Sequence, residues 1–195
     1  GVVSVEAVNL MRGGSGATDN AIVRADGTGG NLIQGQTSGG PILNDDGSVV
    51  NTLQPAFLAF NSAADANQTG NGAAPTVDFE TEVFDQGANF AAATFPAPVT
   101  GKYLLCANVY MTVIAATADT ILLDIVTSNR SYRQQIDDAN DLDTARSLHV
   151  SAIADMDAND TATCLVQITG MAGNTASIHG DAAGLYTNFS GCLLT

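Results

Sequence analysis

The longest apolar pattern in the chain runs from Tyr103 to Val113, where both alternating faces carry large side chains. A strand with two largely apolar faces is typical of a central position in a sheet. Pro96 and Pro98 favour an extended segment before it, and Gly101 favours a turn. We therefore predict a long central strand beginning at Tyr103.

Shorter segments with period-two alternation precede and follow this strand, separated by turn residues and without helical periodicity between them. Such spacing favours a β-sandwich or jelly roll. Residues 61–75 are predicted to be a loop, because Ser, Asn, Gly and Pro are concentrated there. The predicted flanking strands are 54–60, 76–84, 89–95, 120–127, 130–136, 145–153, 161–169 and 185–194.

Three motifs in this region resemble the globular head of the first complement component, a member of the tumour-necrosis-factor jelly-roll superfamily. Phe95 is followed, after five residues, by Gly101-x-Tyr103; residues 158–161 (ANDT) and 188–194 (NFSGCLL) resemble two further family segments. The resemblance covers residues 54–195 and implies a homotrimeric jelly-roll head. It implies a trimer core that includes Tyr103, Leu105 and Leu193.

The glycine-rich segment 13–47 holds ten of the twenty glycines. Residues 22–34 (IVRADGTGGNLIQ) and 40–49 (GPILNDDGSV) resemble segments common in bacteriophage tail and appendage fibres. This resemblance implies a stem in which three chains wrap about one axis. The alternative is a flexible linker, since glycine-rich chains are often unstructured. We predict two domains: an N-terminal strand and trimeric stem over 1–53, and a jelly-roll head over 54–195. Six apolar residues are expected to contact neighbouring chains: Ile22, Val23, Leu32, Ile33, Ile42 and Leu43.

The chain is acidic, with a formal net charge of −14 and few charged residues of either sign. A strongly acidic surface repels nucleic acid and anionic membranes. No apolar run approaches the roughly 18 residues that a membrane-spanning helix needs. We therefore expect neither a nucleic-acid partner nor insertion into a membrane.

Few residues suggest a catalytic or metal-binding site. Neither histidine, His149 or His179, has a partner at the spacing of a catalytic triad, and we predict that the protein is not an enzyme and has no cofactor. The segment Asp155-x-Asp157-x-Asn159 begins like a calcium loop, but it lacks the loop's glycine and closing glutamate. Calcium at these residues is the one metal site predicted. The alternative is a solvated turn, because Asp and Asn favour turns.

Cys106, Cys164 and Cys192 lie in apolar strands without metal-ligand spacing, so we predict buried free thiols. In the resembled fold the strands that hold Cys106 and Cys192 are neighbours, which would also permit a bridge.

The sequence favours a structural virion protein: a homotrimeric phage fibre or spike whose jelly-roll tip mediates attachment to a host-surface glycan or protein. Its N-terminal segment is expected to contact other virion proteins. One alternative is a capsid decoration or head-fibre protein without a receptor role. Another is a secreted, extracellular ligand or lectin head of the complement type.

Overall fold

The structure, a computed structural model, describes residues 24–26, 32–34, 41–43, 46, 48–137 and 144–195. The chain divides into two compact units, Gly1–Leu53 and Gln54–Thr195. The predicted first strand, together with Ile22 and Val23, lies outside the described residues.

The first unit contains two short antiparallel strand pairs. Strand β1 (Arg24–Asp26) pairs with β2 (Leu32–Gln34), and β3 (Ile42–Leu43) pairs with β4 (Val49–Val50). Both Val49 and Val50 are exposed. Two-stranded ladders of this length are marginal in isolation.

The second unit is all-β, and none of its described residues is helical. Its strands in chain order are β5 (Ala56–Phe60), β6 (Ala63–Thr69), β7 (Thr81–Gln86), β8 (Phe95–Pro96), β9 (Gly101–Thr112), β10 (Thr120–Thr127), β11 (Ser131–Asp137), β12 (Arg146–Met156), β13 (Thr161–Ile168), β14 (Ala176–Asp181) and β15 (Asn188–Leu193).

These strands form two antiparallel sheets. The smaller sheet has the order β11-β10-β13-β8. The larger has the order β6-β14-β9-β15-β5-β7, with β12 paired along the other edge of β9. Strand β9 is thus central, because β12 lies on one side of it and both β14 and β15 lie on the other. The arrangement is a jelly-roll sandwich, as the sequence predicted.

The core lies between the two sheets and is richest in aromatic rings near β15. The ring of Phe57 stacks on Phe90 at 4.9 Å and on Phe95 at 4.6 Å between centroids, and it meets Phe189 edge-on at 5.1 Å. Stacked and edge-to-face pairs at these separations stabilise beyond the area they bury. Strand β15 is thereby held firmly between β5 and β9.

Several predicted strands require correction. The predicted loop 61–75 contains strand β6. Strand β14, which carries His179, was not predicted. These two strands pair with each other in an irregular register, and only three residue pairs are aligned. Their sequences contain few large apolar residues, and the alternation that identifies a strand is therefore weak. The predicted strand 76–84 overlaps β7 (Thr81–Gln86), and the predicted strand 89–95 overlaps β8 (Phe95–Pro96) at Phe95 alone. Thr76, Ala91 and Thr94 form isolated bridges.

The predicted trimer core also requires correction. Tyr103 and Leu105 have no exposed surface in the single chain, and Leu193 packs against the same interior cluster. They belong to the core of the protomer, so Tyr103 and Leu105 cannot contact a neighbouring chain. Both faces of β9 carry mostly apolar side chains, so the sequence did not show which face points inward.

Candidate interaction surface

The surface of the larger sheet that points away from the core, here called the outward face, is the most distinctive feature of the head. On β9 it is formed by Leu104, Cys106, Asn108, Tyr110 and Thr112, which alternate with buried neighbours. The strand register extends it into transverse rows, because directly opposed residues of an antiparallel pair project to the same side.

One end of this face is largely apolar. Its two rows are Phe84–Leu58–Ser190–Cys106–Ser151 and Gln86–Ala56–Cys192–Leu104–Ile153. The side chains of Phe84 and Ile153 are 50% and 62% exposed. We call these two rows the apolar end. Contiguous exposed apolar surface on a folded domain marks an interaction site more often than scattered exposed residues do.

The other end of the outward face carries an aromatic cluster formed by Tyr110, His179 and Tyr186. Tyr110 meets His179 edge-on at 5.3 Å between ring centroids, and His179 meets Tyr186 edge-on at 5.2 Å. Tyr110 and Tyr186 are tilted against each other at 5.7 Å. These three side chains come from β9, β14 and the turn before β15. No sequence motif connects them, so sequence reasoning missed the cluster.

The turn that presents Tyr186 is held by side-chain amides. Nδ2 of Asn108 donates to the carbonyl of Tyr186 at 2.5 Å, and Nδ2 of Asn188 donates to the carbonyl of Leu185 at 2.7 Å. Leu185 has a φ of 48°, a left-handed conformation that costs free energy for a non-glycine residue. These contacts hold Tyr186 in a defined position although the residue is 49% exposed.

The residues of the predicted calcium site lie at the turn between β12 and β13. Asp155 forms an ion pair with Lys102, which holds the pKa of Asp155 below its usual value. The carboxylate of Asp157 accepts from the hydroxyl of Thr100 at 3.5 Å, and Asn159 takes a left-handed φ of 75°. Within the described part of the chain, no three His, Cys, Asp or Glu side chains converge to hold an ion. Calcium at Asp155, Asp157 and Asn159 stays a prediction.

All three cysteines are free. Cys106 and Cys192 occupy diagonal positions on the paired strands β9 and β15, because Ser190 is opposite Cys106 and Leu104 is opposite Cys192. Burial raises the pKa of Cys106, and the neighbouring Cys192 raises it further. Cys164 lies in the core, where burial raises its pKa well above the usual value. Two thiols therefore lie within the apolar end, and the third is sealed inside the sandwich.

Among the described residues, the structure contains no helix of the length and apolar character that crossing a bilayer requires.

Comparisons with known proteins find similarity at the level of structure alone. No protein-family model matches the chain. No curated protein matches it either. The globular domain of zebrafish complement 1qA protein superposes with a TM-score of 0.51 at 14% identity, over 72% of this chain and 98% of that one. Murine APRIL, in its crystal structure at pH 5.0, gives a TM-score of 0.50 at 14% identity, over 72% and 99% of the two chains. At this level of identity the likeness shows the fold alone: this part of the chain forms a jelly-roll sandwich like those of the complement 1qA globular domain and APRIL.

Proposed function

We propose that the protein is a non-enzymatic display protein whose jelly-roll head assembles as a homotrimer through the apolar end of its outward face. The observation that carries this proposal is the pair of apolar rows that contains Phe84, Leu104 and Ile153. In a single chain these rows leave large side chains in water. Association of identical chains would remove that surface from solvent, which is the main driving force for assembly.

A bacteriophage fibre or spike on the virion is the role that best accounts for both the head and the N-terminal unit. The fibre-like segments 22–34 and 40–49 support this role, and so do the strand pairs β1–β2 and β3–β4, because two-stranded ladders of two or three residues are marginal in isolation. In this role the head attaches to a host-surface glycan or protein, and the N-terminal segment contacts other virion proteins. A capsid decoration or head-fibre protein without a receptor role would use the same architecture.

A second candidate is a secreted ligand or lectin head of the complement type, which would be extracellular. The superposition on the complement 1qA globular domain and on APRIL favours it. The fibre-like stem has no explanation in this second candidate.

Light scattering on the full chain tests the assembly. We expect three times the chain mass of 19.9 kDa. Ile153→Lys places a charge in the apolar end and should reduce the particle to a monomer. Val99→Lys is the matched control, because Val99 is 45% exposed but lies outside the two rows, and it should leave the mass unchanged.

Alkylation with iodoacetamide gives a second readout of the same assembly. Cys106 and Cys192 should be protected in the wild type and should react in Ile153→Lys, whereas Cys164 should be protected in both. A folded wild-type monomer at micromolar concentration, with both thiols reactive, would refute the proposed assembly.

A further inference from the structure

We propose that the aromatic cluster of Tyr110, His179 and Tyr186 is a binding site for an uncharged saccharide. This inference deepens the proposed display function, on which it rests, by assigning the surface and the class of ligand through which the head attaches. The cluster is distinct from the apolar end that the proposed assembly uses.

The first argument is the chemistry of the cluster. Sugar rings present C–H groups on their faces and hydroxyl groups at their edges. A site for them therefore combines exposed aromatic surface with a few well-placed polar groups. Tyr186, a residue that is 49% exposed, supplies one aromatic ring, and the rings of Tyr110 and His179 lie edge-on or tilted to it with centroids within 5.7 Å.

The second argument is that the polar atoms of the cluster are available. Among the described residues, no side chain or backbone group forms a hydrogen bond with the hydroxyls of Tyr110 and Tyr186 or with the imidazole of His179. Each can donate or accept a hydrogen bond. All three groups are therefore able to bond to a ligand.

A carboxylate completes the site. Oδ1 of Asp181 accepts from the amide of Ala183 at 2.8 Å. A Cβ built on Gly184 would lie 3.0 Å from Oδ2 of Asp181 and 2.8 Å from Cδ2 of Tyr186. The second carboxylate oxygen and the tyrosine ring are therefore both packed close to Gly184. Asp181 can thus accept from a hydroxyl of a saccharide that stacks on Tyr186.

The site is also formed in advance of binding. The absence of a side chain at Gly184 lets the ring of Tyr186 lie against the backbone, and the strained φ of Leu185 sets the direction of the turn. Strain of this kind persists where the surrounding structure enforces it, and it is concentrated at functional sites. A ring that is already positioned loses little conformational entropy when a ligand binds.

Charge selects among ligands. The chain carries a net charge of −14, and Asp181 lies at the cluster itself. Sialylated or sulfated glycans would be repelled, and so would nucleic acid, whereas a neutral sugar would not. An uncharged saccharide is the ligand class that these groups accommodate.

The position of the cluster is compatible with the proposed assembly. Tyr110 lies six residues beyond Leu104 on β9, which corresponds to about 20 Å at the rise of an extended strand. The apolar end can therefore be covered by neighbouring chains while the cluster stays accessible.

The test is isothermal titration of the full chain with triacetylchitotriose, maltotriose and mannotriose, with sialyllactose as the anionic comparison. We expect at least one neutral trisaccharide to bind and sialyllactose not to bind. Tyr186→Ala should weaken binding at least about tenfold, equivalent to about 1.4 kcal/mol. Gly184→Ala keeps the tyrosine but displaces its ring, and it should weaken binding as well. The matched control is Val99→Ala, which removes exposed apolar surface outside both the apolar end and the cluster and should leave saccharide affinity unchanged.

Particle mass is measured on every variant, so that failure of the saccharide site can be distinguished from failure of the proposed assembly. A trimer that binds none of the three neutral trisaccharides overturns the saccharide site and leaves the assembly standing. A monomer that binds one of them through Tyr186 supports the site and overturns the assembly. If Tyr186→Ala dissociates the trimer, the cluster is part of the contact between chains, and the saccharide site is overturned.

Discussion

One buried carboxylate depends on a single partner on the surface of the smaller sheet. Asp124 on β10 is 4% exposed, and it accepts from Nε of Arg133 at 2.8 Å and from Nη2 at 2.7 Å. The register places the two residues directly opposite each other on β10 and β11. This bidentate ion pair raises the pKa of Arg133. It also compensates the charge of the Asp124 carboxylate, which would otherwise be costly to bury.

We expect Arg133→Met to lower the free energy of unfolding by about 1–3 kcal/mol, because it leaves the Asp124 carboxylate buried without its partner. Urea unfolding at neutral pH measures the change. Arg130→Met, at an exposed position nearby, should stay within about 0.5 kcal/mol. The double variant Arg133→Met/Asp124→Leu should recover much of the loss, since both polar groups are then removed. A double variant less stable than Arg133→Met would show that the charge is not the cause.

From the sequence, the buried face of a strand can be assigned where apolar and polar residues alternate. It cannot be assigned where both faces are apolar. The alternation in β9 separates Tyr103 and Leu105 from Leu104 and Cys106, but both sets are apolar, so period alone cannot assign the inner face. The structure resolves this, because only the first set is sealed between the two sheets.

Among the strands, β15 shows how closely the sheet is packed against the core. Gly191 lies between Phe57 of β5 and Leu105 of β9. A Cβ at this position would lie 2.7 Å from Cε1 of Phe57 and 2.7 Å from Cδ2 of Leu105. Phe57 is fixed by its stacking against Phe90 and Phe95, so it has little freedom to move aside.

We therefore expect Gly191→Ala to destabilise the head by about 1–3 kcal/mol, as overpacking of a well-packed core does. The matched control is Gly173→Ala, because the nearest heavy atom to a Cβ there is 3.9 Å away and the backbone is not left-handed. Both variants are compared with the wild type by urea unfolding, and the control should stay within about 0.5 kcal/mol. Equal midpoints for the two variants would contradict this account of the packing at β15.

The strands themselves could be predicted to different extents. Strand β10 was predicted with its observed bounds, because nearly all of Thr120–Thr127 is buried and its apolar residues are continuous. Strand β6 was not predicted, because Ala63–Thr69 is mostly exposed and its pairing with β14 is irregular. Edge pairings of this kind are held by backbone hydrogen bonds, which leave little trace in side-chain composition.

For the molecule as a whole, the fold could be predicted and the candidate sites could not. The jelly roll follows from strand number, spacing and family-like motifs that are local in sequence. The apolar end and the aromatic cluster each combine residues from elements far apart in the chain, such as Tyr110 and Tyr186. Only the three-dimensional register places such residues side by side.

The N-terminal unit should be ordered by assembly of three chains rather than by its own contacts. Its strand pairs are short, and Val49 and Val50 are 64% and 41% exposed. Three copies about one axis would join the isolated apolar pairs into shared layers, and glycines would permit the close approach. The contacts are expected at Leu32, Ile33, Ile42 and Leu43, in addition to Ile22 and Val23. A flexible linker is the rival explanation, in which the same glycines provide slack.

Limited trypsin digestion, followed by mass spectrometry, distinguishes a stem from a linker. Arg24 lies in β1, and the next basic residue in the sequence is Lys102, so cleavage after Arg24 releases a 25–195 product of defined mass. We expect Arg24 to be cut slowly in the wild type and rapidly in Ile153→Lys, because loss of the trimer removes the neighbouring chains that order the stem. Lys102 and Arg130 should remain uncut in both proteins, which controls for an intact head. Equally rapid cleavage at Arg24 in a wild-type trimer and in the monomeric variant would show that the segment is a linker.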